Sequence, residues 1–258
     1  MRYIRILFIS GLMVCATSYS HAQDWREHKS RHFIIYYNRA PIDFIKTVEE
    51  HAERYYQEIS RDLGFTRYRK WSADKRAQIY IYDTPEDFLA SGRIAHWSAA
   101  TAQTRTKVIR SYPTAHGFFD STLPHELGHI IFREFIGHNT RVPLWFEEGV
   151  AMYQEKAKRW GVNEDVRFAL QEGSFMSIKE LSSFYPHRQR SRKKIDLFYA
   201  EAASIVYYLI QEHGMSRFVR LCRKLQDGIA FEAALKKVYV RFKNLDSLNK
   251  AWVSYIKR

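Results

Sequence analysis

Residues 123–132 read LPHELGHIIF, and residues 142–153 read VPLWFEEGVAMY. The first segment sets two histidines four positions apart around a glutamate, and the second carries two adjacent glutamates. Pro124 suits the first turn of a helix, Ile130, Ile131 and Phe135 continue an apolar face, and Gly137 is placed to end it. On such a helix residues i and i+4 differ by about 40° in direction, so His125 and His129 reach toward one point. Glu126 projects to the side of that pair, where it could hold a water molecule. Two imidazole nitrogens need at least one more protein ligand to hold a zinc ion, and a reactive centre also keeps one position open. Pro143 opens a second helix bearing Glu147 and Glu148, and 18 residues separate His129 from Glu148. That interval accommodates the end of the first helix, a turn through GHNTR and the return of a carboxylate. Consecutive helical residues point about 100° apart, so only one of the two glutamates can face the ion well.

The rest of the chain is that of a folded domain. Its 258 residues, 46% hydrophobic and 16% aromatic, suffice for a sizeable core and fit one domain with no disordered or low-complexity tract. The first 22 residues differ: Arg2 and Arg5 precede the apolar run ILFISGLMVC, and small residues lead to SHA. This pattern predicts a secretory signal at 1–22, cleaved before Gln23, and a mature domain over 23–258. The apolar run is too short to span a bilayer, which takes about 20 residues, so no transmembrane segment is expected after cleavage. The bulky Val14 before Cys15 argues against lipid attachment at that cysteine. An exported protein, periplasmic or secreted, is expected.

Beyond the signal Cys222 stands alone, which excludes an internal disulfide. In FVRLCRKL it shares a helical face with Phe218, Leu221 and Leu225, so a buried small hydrophobe is expected rather than a catalytic thiol. Residues 23–258 carry +11 of the chain's formal net charge of +13, because the first 22 hold two arginines and no acid. A basic exported protein is drawn to anionic partners such as an envelope surface. The densest cluster, HRQRSRKK at 187–194, reads as a solvated loop, and no nucleic-acid motif accompanies it.

Strand-like stretches occupy the first half: HFIIYYN at 32–38, AQIYIYD at 77–83, and two more around HWSAAT and TKVIRSY. Between the first two, Ile45, Val48, Ala52, Tyr55, Tyr56, Ile59 and Leu63 recur at helical spacing before Gly64, and PEDFLASG gives a short helix. After residue 196 four segments carry helical stripes, the last ending at Ile256. The expected fold class is α+β, one domain with a small mixed sheet in the N-terminal part and a helical C-terminal half.

The two opening segments resemble a known family. HELGH matches the zinc-helix motif of the gluzincin metallopeptidases, and LWFEEGVA resembles the W-x-x-E-G-x-A segment of their peptidase MA-like group. HKSRHFIIYYN is similar to the opening strand of such domains, and HWSAATAQTRTKVIR resembles the hairpin before their zinc helix. The resemblance implies a zincin-like fold, one zinc ion held by His125, His129 and Glu148, and Glu126 as general base. It makes Glu147 a neighbour rather than a ligand. Tyr199 sits where related aminopeptidases carry an oxyanion-stabilising tyrosine. His116, His138 and His213 offer further donors, but nothing in their spacing selects them.

Two departures matter. No G-x-M-E-N segment precedes the zinc helix, so binding of a free substrate amine has no support. The N-E-x-x-S-D pattern is absent too, and Met152 stands where it would place an aspartate that orients a histidine ligand. A carboxylate for that purpose must come from elsewhere. The reaction implied is zinc-dependent hydrolysis of peptide bonds in a peptide or protein substrate. Two other readings stay open: a non-catalytic zinc module that holds an anionic envelope component, and a zinc amidase acting on cell-wall peptides. A module has no need of Glu126, which weighs against it.

Overall fold

A computed structural model describes residues 24–65, 71–92, 98–156 and 161–258. The expected export signal lies outside these residues. The fold is α+β, with a five-stranded sheet in the N-terminal part and helices after it. The strands are β1 (Arg26–Lys29), β2 (Phe33–Tyr37), β3 (Ala77–Ile81), β4 (Ala100–Gln103) and β5 (Val108–Ser111), in the order β1-β2-β3-β5-β4. β2, β3 and β5 run parallel, and β1 and β4 close the two edges antiparallel. Strict alternation in β2 and β3 buries Phe33, Ile35, Tyr37, Ala77, Ile79 and Ile81 on one face. On the other face Tyr36 stacks on Tyr80, with Arg110 over the Tyr80 ring.

Helix α1 (Ile42–Asp62) crosses from β2 to β3 and buries the predicted stripe from Ile45 to Ile59. It stops at Gly64, whose φ of +68° suits a residue without Cβ. The short α2 (Pro85–Ala90) is capped by the Thr84 hydroxyl, which accepts from the Asp87 N–H. A π-turn at Phe118–Thr122 then delivers the chain into α3 (Leu123–Ile136). Helix α3 packs between α1 and α4 (Leu144–Met152) and also touches β4. The helices α5 (Val162–Gln171), α6 (Ile178–Ser183), α7 (Arg192–Gln211), α8 (Met215–Gln226), α9 (Phe231–Val238) and α10 (Leu245–Ile256) complete the fold. Helix α7 starts four residues earlier than its apolar stripe suggests, so Arg192, Lys193 and Lys194 form its first turn and not a loop. Cys222 is fully buried on α8, and burial pushes its thiol up, out of reach of reactivity. No described helix is long and apolar enough to cross a membrane.

Helices α4 and α7 touch at backbone distance because Gly149 has no side chain. A Cβ there would stand 2.3 Å from the Ala202 carbonyl oxygen and 2.7 Å from Val206 Cγ2. The nearer atom belongs to a helix backbone and cannot rotate away. Gly149→Ala should therefore destabilise the protein by roughly 3 kcal/mol, the upper end of overpacking costs. Thermal unfolding followed by circular dichroism would show this as a melting point lowered by about 6–12 °C. An unchanged melting point would mean that the helices are not in contact here.

Glu201, also on α7, is fully buried. One carboxylate oxygen accepts the Met176 N–H at 2.9 Å, and Oε2 has no partner among the described residues. Burial pushes its carboxyl up to about 8, against the opposing effect of the Met176 N–H. A carboxyl raised in the folded state contributes its full stability below the unfolded value of about 4.5 and loses it as pH rises through the folded value. The unfolding free energy of the wild type, from urea titrations, should therefore fall between about pH 4.5 and 8 relative to that of Glu201→Gln, by on the order of a few kcal/mol. Parallel pH profiles for the two proteins would contradict the buried, single-partnered carboxyl.

Candidate metal centre

The site forms where α3 and α4 cross. His125 and His129 stand one turn apart on α3, and Gly128 between them leaves room for α4. A Cβ at Gly128 would lie 3.0 Å from Gln154 Cγ and 3.2 Å from Ala151 Cα, so the close approach that brings α4 within reach depends on this glycine. Glu148 projects from α4 into the gap. Its Oε2 is 3.5 Å from Nε2 of His125 and 3.5 Å from Nε2 of His129. The two Nε2 atoms are 3.1 Å apart. Among the described residues these three form the group able to hold a metal ion, and His116, His138 and His213 do not join it.

Glu147 turns the other way. Its Oε1 accepts from Arg133 Nε at 2.6 Å, and its Oε2 pairs with Arg133 Nη2. Arg133 Nη1 also donates to the Thr140 carbonyl at 2.7 Å, so one guanidinium ties α3, α4 and the turn between them. The nearest Glu147 oxygen is 3.8 Å from Nδ1 of His129, too far for a hydrogen bond.

Glu155, just beyond α4, supplies the carboxylate that the sequence left unassigned. Its Oε1 lies 2.8 Å from Nδ1 of His125, and the side chain is almost fully buried. Donation of the Nδ1 proton to Glu155 orients the ring so that Nε2 faces His129 and Glu148, where loss of the Nε2 proton exposes a lone pair to an ion. No periodicity announces this residue. The available signal was the missing aspartate at Met152, with an acid three positions on.

The electrostatics follow from this crowding. Burial disfavours a charged His125, but hydrogen bonds to Glu148 and Glu155 outweigh it and the ring is pushed up to about 10. His129 is raised against its burial by the Glu148 carboxylate. Burial of Glu148 is outweighed by His129 and His125, which hold its carboxyl well below the usual range. Glu126 goes the opposite way, since burial raises it against the pull of both imidazoles. Any divalent ion bound by these groups must displace the shared protons.

The donor set fits zinc. Two imidazole nitrogens and one carboxylate are its usual protein ligands, and atoms held about 2.1 Å from a tetrahedral ion stand roughly 3.4 Å from one another. The triangle of 3.1, 3.5 and 3.5 Å matches that spacing. A cavity of about 560 Å³ opens beside it, lined by His125, Met152, Glu155, Val162, Arg192 and Tyr199 among others. Burial, and then the carboxylates of Glu148 and Glu126, push the Tyr199 phenol up, so it keeps its proton and remains a donor.

Residues 69–258 match the family model of the peptidase MA superfamily. The chain belongs to the peptidase MA superfamily. The match begins after α1 and takes in α3, α4 and α7, hence every residue of the cluster and Tyr199. Membership makes the chain a hydrolase of peptidase type. No curated protein matches it in sequence.

Proposed function

We propose that this superfamily member is an exported zinc-dependent metallopeptidase that hydrolyses peptide bonds. The convergence of Nε2 of His125, Nε2 of His129 and Oε2 of Glu148 on one point, beside Glu126, carries the reading. When bound, zinc supplies a Lewis acid that polarises the scissile carbonyl and acidifies the attacking water. Glu126 takes the proton from that water as it adds to the carbonyl carbon, and later passes it to the leaving amine as the C–N bond breaks. A carboxyl whose hold on a proton is strengthened by burial suits both halves of that transfer. Tyr199 donates a hydrogen bond to the negative charge that develops on the carbonyl oxygen. Glu155 holds the His125 ring in place throughout.

An extended substrate fits along β4. This strand lies at the sheet edge, is paired only with β5 among the described residues, and packs against α3. Its free side, from Ala99 to Thr101, can align a peptide by strand addition. Export rests on the basic and apolar pattern of residues 1–22.

The test is incubation of the purified chain with a mixture of unstructured peptides, with products read by mass spectrometry. Internal cleavages are expected that a chelator abolishes and added zinc restores. Absence of cleavage in every peptide by the zinc-loaded chain would sink the proposal.

A further inference from the structure

The turn between β4 and β5 holds the one described residue other than glycine in the left-handed region, Lys107 at φ +55°. Glycine or asparagine adopts that conformation with less strain, so the lysine is held there by what its side chain does. That side chain is largely buried despite its charge. Its Nζ donates to the Lys75 carbonyl at 2.6 Å, lies 3.3 Å from Oε1 of Glu134 and sits 4.9 Å over the Trp71 ring. Glu134 belongs to α3, the helix of His125 and His129, and its other oxygen accepts the Trp71 indole N–H at 2.5 Å. In the same turn the exposed Arg105 donates to Asn139 Oδ1 at 2.8 Å, just past the end of α3. Two cations of one turn thus fasten the hairpin to the C-terminal end of the helix that bears the histidines.

This attachment fixes a distance that matters to the site. Among the described residues β4 joins the sheet through β5 alone, and it packs on α3. Glu126 lies eight residues back from Glu134, about 12 Å along the helix. Ala100 lies four residues back from Thr104, where the turn begins, about 13 Å along the strand. Measured from the clamp, the open backbone of β4 at 99–101 therefore comes level with Glu126 and His125. We propose that Lys107 is a positioning residue: its ion pair with Glu134 holds the β4 edge in register with the metal centre, so that a peptide added to that edge presents its scissile bond to Glu126. The inference rests on the peptidase reading with substrate along β4, and names what keeps that strand aligned with α3. A slip of one residue along the strand would move every substrate carbonyl by about 3.3 Å and turn its side chains to the opposite face.

The test compares kcat/KM on one peptide that the zinc-loaded wild type cleaves and on versions of it shortened residue by residue from either end. In the wild type, activity should fall where residues that pair with β4 are removed. Lys107→Met keeps the buried aliphatic stem and removes the ammonium. It should lose about ten- to a hundred-fold on the full peptide, yet stay within about two-fold of the wild type on the short versions that no longer reach β4. Zinc content should be unchanged, and Lys107→Arg, which returns a cation to the same place, should recover part of the loss. Lys107→Met combined with Glu134→Gln leaves no unpaired buried charge and keeps an acceptor for the Trp71 indole. The pair covers the case in which the single variant fails to fold, and should show the same dependence on peptide length. Equal losses on long and short peptides would make Lys107 a stabilising residue only and overturn the proposal, as would full activity on the long peptide. Either of those outcomes, in a wild type that cleaves, overturns the positioning alone. A wild type that cleaves no peptide overturns the peptidase reading and the positioning with it.

Discussion

Replacing Glu126 by glutamine is expected to lower kcat/KM for any peptide substrate by about two to four orders of magnitude, the usual contribution of a general acid–base group. The ion should stay. Glu126 is not one of the three converging donors, and an amide of the same shape keeps the packing of α3 while losing the ability to accept a proton. Glu126 is also the residue whose carboxyl burial raises, whereas the neighbouring histidines hold that of Glu148 low. On the proposed function, these opposite shifts within one cluster suit different duties, proton transfer for Glu126 and ligation for Glu148. Steady-state kinetics and metal analysis on the same preparation check both halves. A variant that keeps more than about a tenth of wild-type activity would remove Glu126 from the proton path.

The parts of the site carried by local pattern were legible in the sequence. Pro124, Gly137 and Pro143 mark helix boundaries through fixed backbone geometry, and the four-residue spacing of His125 and His129 fixes their common face whatever surrounds them. The division into a sheet and a helical half was equally legible, because β2 and β3 alternate strictly and α1, α8 and α10 carry full apolar stripes. What escaped depends on contacts between distant segments. β1 consists of Arg26, Glu27, His28 and Lys29, which no propensity would read as a strand. It forms because β2 offers an edge and because His28 reaches Glu49 on α1 at 2.5 Å. The next turn is fastened in the same way, with Ser30 and His32 both on Glu53. Glu155 and Arg133 were hidden for a similar reason. Each is an ordinary charged residue in sequence, and its partner is set by how α3 and α4 cross. The roles of Gly128 and Gly149 likewise appear only once the helices are seen to touch.

The second large effect concerns the two adjacent glutamates. Glu148→Gln removes the charged donor from the triangle and leaves two histidines, too few for a tightly held zinc ion. Glu147→Gln removes the partner of Arg133, so it should lower the melting temperature while leaving the three donors in place. The pair separates ligation from scaffold by a shift of one residue. Metal content of the purified chain and of these two variants, measured by elemental mass spectrometry after dialysis against zinc-free buffer, is therefore the most direct test of the centre. The expected result is about one zinc per chain in the wild type and in Glu147→Gln, and nearly none in Glu148→Gln. No zinc in the wild type after reconstitution, or equal retention in both variants, would contradict a centre built from His125, His129 and Glu148.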